Sequence, residues 1–167
     1  MRNNRGFTLM ELMITMAIIG IIAVTAIPNM IGWVPRYRMS TGARDVHDAV
    51  QLAKIRAVKE NVSTVLTFNA GNGSYALFVD NGAGTADADL DGIPDGLNDG
   101  VQNGAEATLL QRRLPTDVQI TAGPTIAFNS RGFPTGQLTV SLASTAANGG
   151  QRTINVTPAG GINITNP

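Results

Sequence analysis

The first long feature in the pattern of apolar and polar positions is an apolar segment near the amino terminus. From Phe7 to Ile27 there are 21 residues, and Glu11 is the one ionisable side chain among them. A helix of this length rises about 30 Å, which matches the hydrocarbon core of a bilayer. The pattern therefore predicts a membrane-spanning helix at residues 7–27. Because an ionisable group in such a span costs about 2.5 kcal/mol or more, Glu11 is predicted to have a functional partner.

A second helical pattern follows, over residues 28–61. Pro28, Gly32 and Pro35 predict that the helix bends or loosens between residues 27 and 36 before it resumes. Beyond them, the polar face of the helix carries basic residues. We expect this face to be solvated or to contact neighbouring subunits rather than to bind nucleic acid. Apolar residues recur at spacings of three and four, which predicts one buried face of an amphipathic helix: Met39, Ala43, Val46, Val50, Ala53 and Ala57.

Strand-like runs replace the helical period from residue 62 onward. The first two are joined by residues 69–73, whose Asn-Ala-Gly-Asn-Gly sequence predicts a hairpin. Turn residues bound eight runs, at 63–68, 74–79, 108–114, 118–121, 125–129, 137–142, 153–157 and 161–164. The pattern predicts an α+β fold, in which a long amino-terminal helix packs on a carboxyl-terminal antiparallel β-sheet domain at residues 62–167.

Composition narrows the classes of function. Twelve basic residues balance twelve acidic ones, so no global field favours nucleic acid or an acidic substrate. The absence of cysteine excludes disulfides and thiolate chemistry. The single histidine, His47, lies on the predicted helix without a pattern of nucleophile, base and orienting group, and we therefore expect no enzyme.

Acidic residues cluster in a predicted insertion at about residues 80–106. Carboxylates at alternating positions can converge on one hard cation where a glycine permits a sharp turn, and calcium accepts six to eight oxygens in flexible geometry. We expect a calcium site whose ligands are Asp87, Asp89, Asp91, Asp95 and Asp99, with the backbone carbonyl of Ile93 as a further candidate. The pattern resembles the calcium loops of thrombospondin type 3 repeats and dockerins, but it lacks the EF-hand glutamate at the twelfth place. A solvated, flexible acidic loop is the alternative.

The residues at the start of the span form a motif, Arg5-Gly6-Phe7-Thr8-Leu9-Met10-Glu11. This motif resembles the type III signal of type IV pilins and type II secretion pseudopilins. The resemblance implies that a prepilin peptidase removes residues 1–6 as a leader, cutting between Gly6 and Phe7, and methylates the new amino terminus. It also implies that Glu11 pairs with the ammonium of Phe7, in the same or a neighbouring subunit, during assembly. A secretory signal cleaved near residues 23–26 is the less favoured alternative.

Later blocks narrow this resemblance to the H-type minor pseudopilins and their FimT and FimU relatives: residues 110–115, 126–132 and 153–162. The resemblance implies a minor pilin or pseudopilin, a structural subunit of a type II secretion pseudopilus or a type IV pilus. It places the chain in the inner membrane with one span and a periplasmic carboxyl-terminal domain. The implied partners are other pilin subunits, the prepilin peptidase and the inner-membrane assembly platform.

A pilus-borne binding module for DNA uptake or surface adhesion is the alternative function. FimT-type pilins that bind DNA resemble one another in a basic carboxyl-terminal segment. Here Arg152 is the one basic residue after Arg131, so nucleic acid is not favoured as a partner.

Overall fold

The computed structural model describes residues 7–83, 97, 101–103, 105–123, 125–135 and 138–166. The chain divides into two compact units, Met1–Val34 and Pro35–Pro167. Among the described residues there are one helix and eight strands: α1 Leu9–Glu60, β1 Ser63–Asn69, β2 Ser74–Asp80, β3 Thr108–Arg113, β4 Val118–Ala122, β5 Ile126–Phe128, β6 Leu138–Ser144, β7 Gln151–Val156 and β8 Ile162–Thr165.

The bounds of α1 include the stretch in which the sequence predicted a bend or a loosening. Helix is assigned at every residue from 27 to 36, so no loosening is seen. A proline in a helix removes one hydrogen bond, and the turns on either side can keep their own. The bend stays a prediction.

The carboxyl end of α1 is capped by an asparagine in the left-handed conformation. Asn61 has a φ of 54°, a value that asparagine tolerates better than most residues with a side chain. The Val62 amide donates a hydrogen bond of 3.2 Å to the Ala57 carbonyl, which is the long hydrogen bond of a Schellman motif. This cap ends the helix and directs the chain into β1.

Two antiparallel four-stranded sheets follow the helix, with strand orders β3-β2-β1-β5 and β4-β6-β7-β8. The predicted hairpin is confirmed, since β1 and β2 pair from Ser63 opposite Asp80 to Asn69 opposite Ser74. All eight predicted strands are present, and their bounds differ from the predicted ones by at most two residues. The α+β fold class is confirmed.

One hydrophobic core joins α1 to both sheets. The predicted face of the helix is confirmed, because all six of its apolar residues are buried. Small residues on this face allow close approach: a Cβ on Gly42 would lie 3.1 Å from Cγ1 of Val118 in β4. The Thr64 hydroxyl of β1 donates a buried hydrogen bond of 3.0 Å to the Ala53 carbonyl, so this polar group does not remain unpaired in the core.

Tyr75 of β2 is a buried polar residue on the sheet side of this core. Its hydroxyl lies 3.5 Å from the carbonyl oxygen of Asp45 in α1, to which it donates. Burial, followed by the negative charge of Asp45, raises the pKa of Tyr75 to about 12. The neutral phenol is therefore the form that the folded protein favours.

Candidate assembly site and acidic insertion

The first turn of α1 is fixed by a side-chain cap. The Thr8 hydroxyl oxygen accepts a hydrogen bond of 3.2 Å from the Glu11 amide, and the helix begins at Leu9. Thr8 is therefore the N-cap and Glu11 the third helical residue, the spacing of a capping box. This role of Thr8 was not predicted from the sequence, although the Thr-x-x-Glu pattern is the signal for it.

The Glu11 side chain is exposed, and within the described part of the chain no basic group forms an ion pair with it. The other polar side chains between residues 9 and 27 use carbonyls of their own helix: Thr15 donates to Leu12, and Thr25 donates to Ile22. Unlike these two threonines, Glu11 has a side chain that forms no hydrogen bond or ion pair with a described residue. Phe7 is 78 % exposed, and Gly6 lies outside the described residues.

The segment Leu9–Ile27 is long and apolar enough to cross a membrane. Its large apolar side chains are exposed all round the helix rather than along one stripe. A helix with an apolar surface on every side requires lipid or other helices to cover it. This segment therefore has the surface of a membrane anchor or of a packing helix in a bundle.

A buried carboxylate closes the neck of the acidic insertion. Glu106 is 5 % exposed, and its two carboxylate oxygens accept hydrogen bonds of 3.0, 2.8 and 2.7 Å from the amides of Asn81, Gly82 and Asn103. The Ala105 amide also donates to the Ala83 carbonyl at 3.0 Å. The two ends of the insertion are therefore tied together before its central residues begin.

The predicted calcium ligands all lie outside the described residues: Asp87, Asp89, Asp91, Asp95, Asp99 and the carbonyl of Ile93. Elsewhere, in the portion of the chain that is described, no group of three acidic or histidine side chains is arranged to hold a metal ion. Asp80 and Glu106, which border the predicted insertion, are buried in the domain. Glu106 therefore has a structural role at the neck, which its sequence position alone did not show.

Lys54 joins two loops that are distant in sequence. Its ammonium donates a hydrogen bond of 3.1 Å to the Gly160 carbonyl. A Cβ on Gly132 would lie 3.4 Å from Cγ of Lys54 and 2.7 Å from Cγ2 of Val58. The blocks 126–132 and 153–162 therefore meet at one turn of α1, and this convergence was not predicted from the sequence.

The basic face of α1 is partly neutralised. Arg38 pairs with Asp117 at 2.5 Å, in the turn before β4, and Arg56 pairs with Glu60 at 2.7 Å along the helix. His47 contacts Asp48 at 3.3 Å and Gln51 at 3.4 Å, all on α1. No hydroxyl group contacts His47 in the described chain, so this cluster is not arranged as a nucleophile and its base.

Two family models match the chain. Residues 1–27 match the prokaryotic N-terminal methylation motif, and residues 42–160 match the model of type II transport protein GspH. The first match covers the motif and the apolar segment. The second covers most of the helix-and-sheet unit, including the loops that meet at Lys54.

Relatives and solved structures of similar fold are pilins and pseudopilins. Pilin-like protein PilA1 of Thermus thermophilus is 27 % identical over 144 residues, which cover 86 % of this chain and 87 % of the relative. The type IV minor pilin FimU of Pseudomonas aeruginosa superposes with a TM-score of 0.56 at 13 % identity, covering 80 % of this chain and 92 % of FimU. The minor pseudopilin EpsH of Vibrio cholerae superposes with a TM-score of 0.53 at 15 % identity, covering 78 % of this chain and 98 % of EpsH.

Proposed function

We propose how this chain enters a filament, starting from its membership of the family of type II transport protein GspH. Members of this family with the N-terminal methylation motif are minor pilin or pseudopilin subunits, and this chain is one. It is anchored in a membrane by its amino-terminal helix, and it assembles with other pilin subunits. The observation that carries the proposal is that helix, which is apolar on every side and has one unused carboxylate in its first turn.

Processing between Gly6 and Phe7 supplies the partner of that carboxylate. A prepilin peptidase removes residues 1–6 and methylates the new amino terminus, which keeps its positive charge. Phe7 then carries an ammonium four residues before Glu11, about one helical turn away. Two charges in an apolar bundle are tolerable as a pair, so Glu11 binds the ammonium of its own or a neighbouring subunit.

Mass spectrometry of the intact protein from membranes of cells that contain a prepilin peptidase tests this processing. We expect a chain that begins at Phe7 and carries one methyl group on its amino nitrogen. Replacing Gly6 by a bulky residue, as in Gly6→Val, should leave the leader attached, whereas Asn4→Val should not. A mature chain that begins near residues 23–26 would instead show an ordinary secretory signal.

The membrane in this proposal is the inner membrane. The chain crosses it once, and the carboxyl-terminal unit lies in the periplasm. The inner-membrane assembly platform receives the processed subunit and adds it to a type II secretion pseudopilus or a type IV pilus. The chain itself catalyses no reaction in this account. The placement in the membrane is supported by the methylation motif and by the apolar segment Leu9–Ile27.

The acidic insertion adds a calcium site to the proposal. Its support is the alternation of Asp87, Asp89 and Asp91 before a glycine, together with the neck that Glu106 closes. The neck holds the two ends of the insertion together, and this reduces the conformational entropy that the chain loses when it binds an ion. Calcium is proposed rather than magnesium, because calcium accepts six to eight oxygen ligands in variable geometry whereas magnesium requires a near-ideal octahedron.

Isothermal titration of the full chain in neutral detergent tests the calcium site. We expect binding of calcium, weaker binding of magnesium, and a higher unfolding temperature in calcium, because the ion binds the folded state. Asp89→Asn with Asp91→Asn should abolish the heat, whereas Asp45→Asn with Asp48→Asn, the same charge change on α1, should not. Absence of heat and of stabilisation at millimolar calcium would contradict the site.

A further inference from the structure

Two arginines line one cleft in the unit Pro35–Pro167. Arg36 at the start of this unit and Arg152 in β7 face a cleft of about 260 Å³, whose floor is the turn between β6 and β7. The other described lining residues are uncharged: Asn148, Gly149, Gly150, Gln151 and Asn166. Amide side chains add hydrogen-bond donors, and the glycines leave the floor open. The described lining contains cations and neutral donors but no acid.

The positive charge of this cleft is not neutralised within the described chain. Two arginines elsewhere in this unit are paired with acids, Arg38 with Asp117 and Arg56 with Glu60. The guanidinium groups of Arg36 and Arg152 have no ion pair or side-chain hydrogen bond to described residues. Two guanidinium groups beside neutral donors match an anion with several oxygens, and phosphate is the group that arginine binds in this way.

The position of Arg36 in the chain indicates which phosphate it meets. It is the first ionisable residue after the apolar segment Leu9–Ile27 and follows Ile27 by nine positions. Nine residues span about 14 Å as a helix and at most about 32 Å when extended, so the chain tethers Arg36 within this distance of the end of the apolar segment.

Aromatic side chains flank this arginine. Trp33 is 59 % exposed and Tyr37 is 58 % exposed. Exposed tryptophan and tyrosine next to an apolar span are typical of the headgroup layer, where the ring has an apolar body and a polar tip. The sequence around Arg36 therefore has the composition of a segment that lies among lipid headgroups.

We infer that Arg36 and Arg152 bind the phosphodiester of a phospholipid headgroup while the subunit is anchored in the bilayer. The inference rests on the proposed function for the anchoring, and it adds the ligand and the residues that bind it. Anionic lipids bind more tightly than zwitterionic ones, because their headgroup adds no compensating cation beside the arginines. The contact is lost when the subunit leaves the bilayer for the filament.

Lipid binding to the full chain tests the inference. The chain in neutral detergent is titrated with phosphatidylglycerol, and bound lipid is counted by native mass spectrometry. Arg36→Gln with Arg152→Gln should weaken binding about thirtyfold, since each basic residue near an anionic surface contributes a factor of about five. The matched control, Arg44→Gln with Arg112→Gln, removes the same charge from exposed positions outside the cleft and should weaken binding less than threefold.

Several results would overturn the inference. Equal weakening in both double variants would show general charge attraction, and no weakening in either would show that the cleft does not bind lipid. Sodium phosphate binding as tightly as the lipid would show a site for free phosphate. A single-stranded oligonucleotide that displaces the lipid at lower concentration would show a nucleic-acid site.

Reconstitution into nanodiscs separates this inference from the proposed anchoring. If the anchoring is wrong, the wild type and both double variants fail to enter the bilayer. If the headgroup site alone is wrong, all three enter it and retain phosphatidylglycerol equally after extraction. The predicted result is equal entry and a selective loss of lipid in the variant that lacks Arg36 and Arg152.

Discussion

Single polar residues decide how the parts of this protein are connected. Glu106 is buried and accepts three backbone hydrogen bonds at the neck of the insertion, and Lys54 donates to a carbonyl 106 positions away. Thr8 caps the first turn of α1. Each of these side chains satisfies backbone groups that the fold would otherwise leave without partners.

Replacing Glu106 by glutamine should destabilise the domain. The amide nitrogen of glutamine would face a backbone amide that now donates to a carboxylate oxygen, so at least one hydrogen bond to a charged acceptor is lost. We expect the free energy of unfolding of the full chain in detergent to fall by about 2 kcal/mol, measured by urea denaturation. Glu60→Gln, which breaks an exposed pair on α1, should cost less than about 0.5 kcal/mol. Equal losses in the two variants would contradict the clamp.

Tyr75 makes stability depend on pH in the alkaline range. The pKa of its phenol is raised to about 12 by burial, whereas the unfolded chain has the ordinary value near 10. Between these values the folded state binds more protons than the unfolded state, so stability falls as the pH rises. We expect a slope of up to about 1.4 kcal/mol per pH unit from pH 10 to pH 12, and its loss in Tyr75→Phe. A phenylalanine variant with the same slope would show that other groups cause it.

Among the secondary-structure elements, the helix and the strands could be predicted from the sequence, because turn residues and the spacing of apolar residues mark them. Turns that contain glycine, proline or asparagine separate most of the strand runs, and the helical face kept its spacing to Ala57, so the elements were predicted within two residues. Sheet order was not predictable, because β1 pairs with β5 across a long stretch of chain. The contacts of Lys54 and Glu106 were missed for the same reason, since they join residues that are distant in sequence.

A glycine tests how the loop before β6 packs on α1. Gly132 has a φ of 78°, and a Cβ there would lie 2.7 Å from Val58, whereas Gly71 has a φ of 94° with open space around it. Gly71→Ala should cost only the backbone strain, about 1 kcal/mol. Gly132→Ala should cost 1 to 2 kcal/mol more by urea denaturation, roughly the range for a steric clash in a packed region. Equal costs would show that the loop yields without affecting the helix.

In the whole molecule, the numbers of acidic and basic residues are equal, but the two kinds of residue lie in different parts of the chain. The insertion at residues 80–106 has seven acidic residues and no basic one, whereas the rest of Pro35–Pro167 has ten basic and four acidic residues. The family match covers residues 42–160, which is most of this unit. Fold and family were predictable because the motif, the apolar segment, the long helix and the strand runs follow one another along the sequence, whereas the predicted calcium ligands lie outside the described residues.

In the proposed function, the amino-terminal helix assembles the subunit and the Glu11 carboxylate is its contact. Glutamine at this position keeps the spacing of the capping box, so Glu11→Gln removes the charge without removing the helix start. Breaking a buried ion pair by removing one partner costs about 3 to 5 kcal/mol, enough to lower incorporation at least tenfold.

The direct measurement is the fraction of subunit in sheared filaments relative to the membrane fraction, in cells that express the wild type, Glu11→Gln or the control Glu60→Gln. We expect all three chains to reach the membrane in equal amounts and to be processed at Gly6. We also expect Glu11→Gln alone to fall at least tenfold in the filament fraction. Incorporation of Glu11→Gln at the level of the wild type would contradict it.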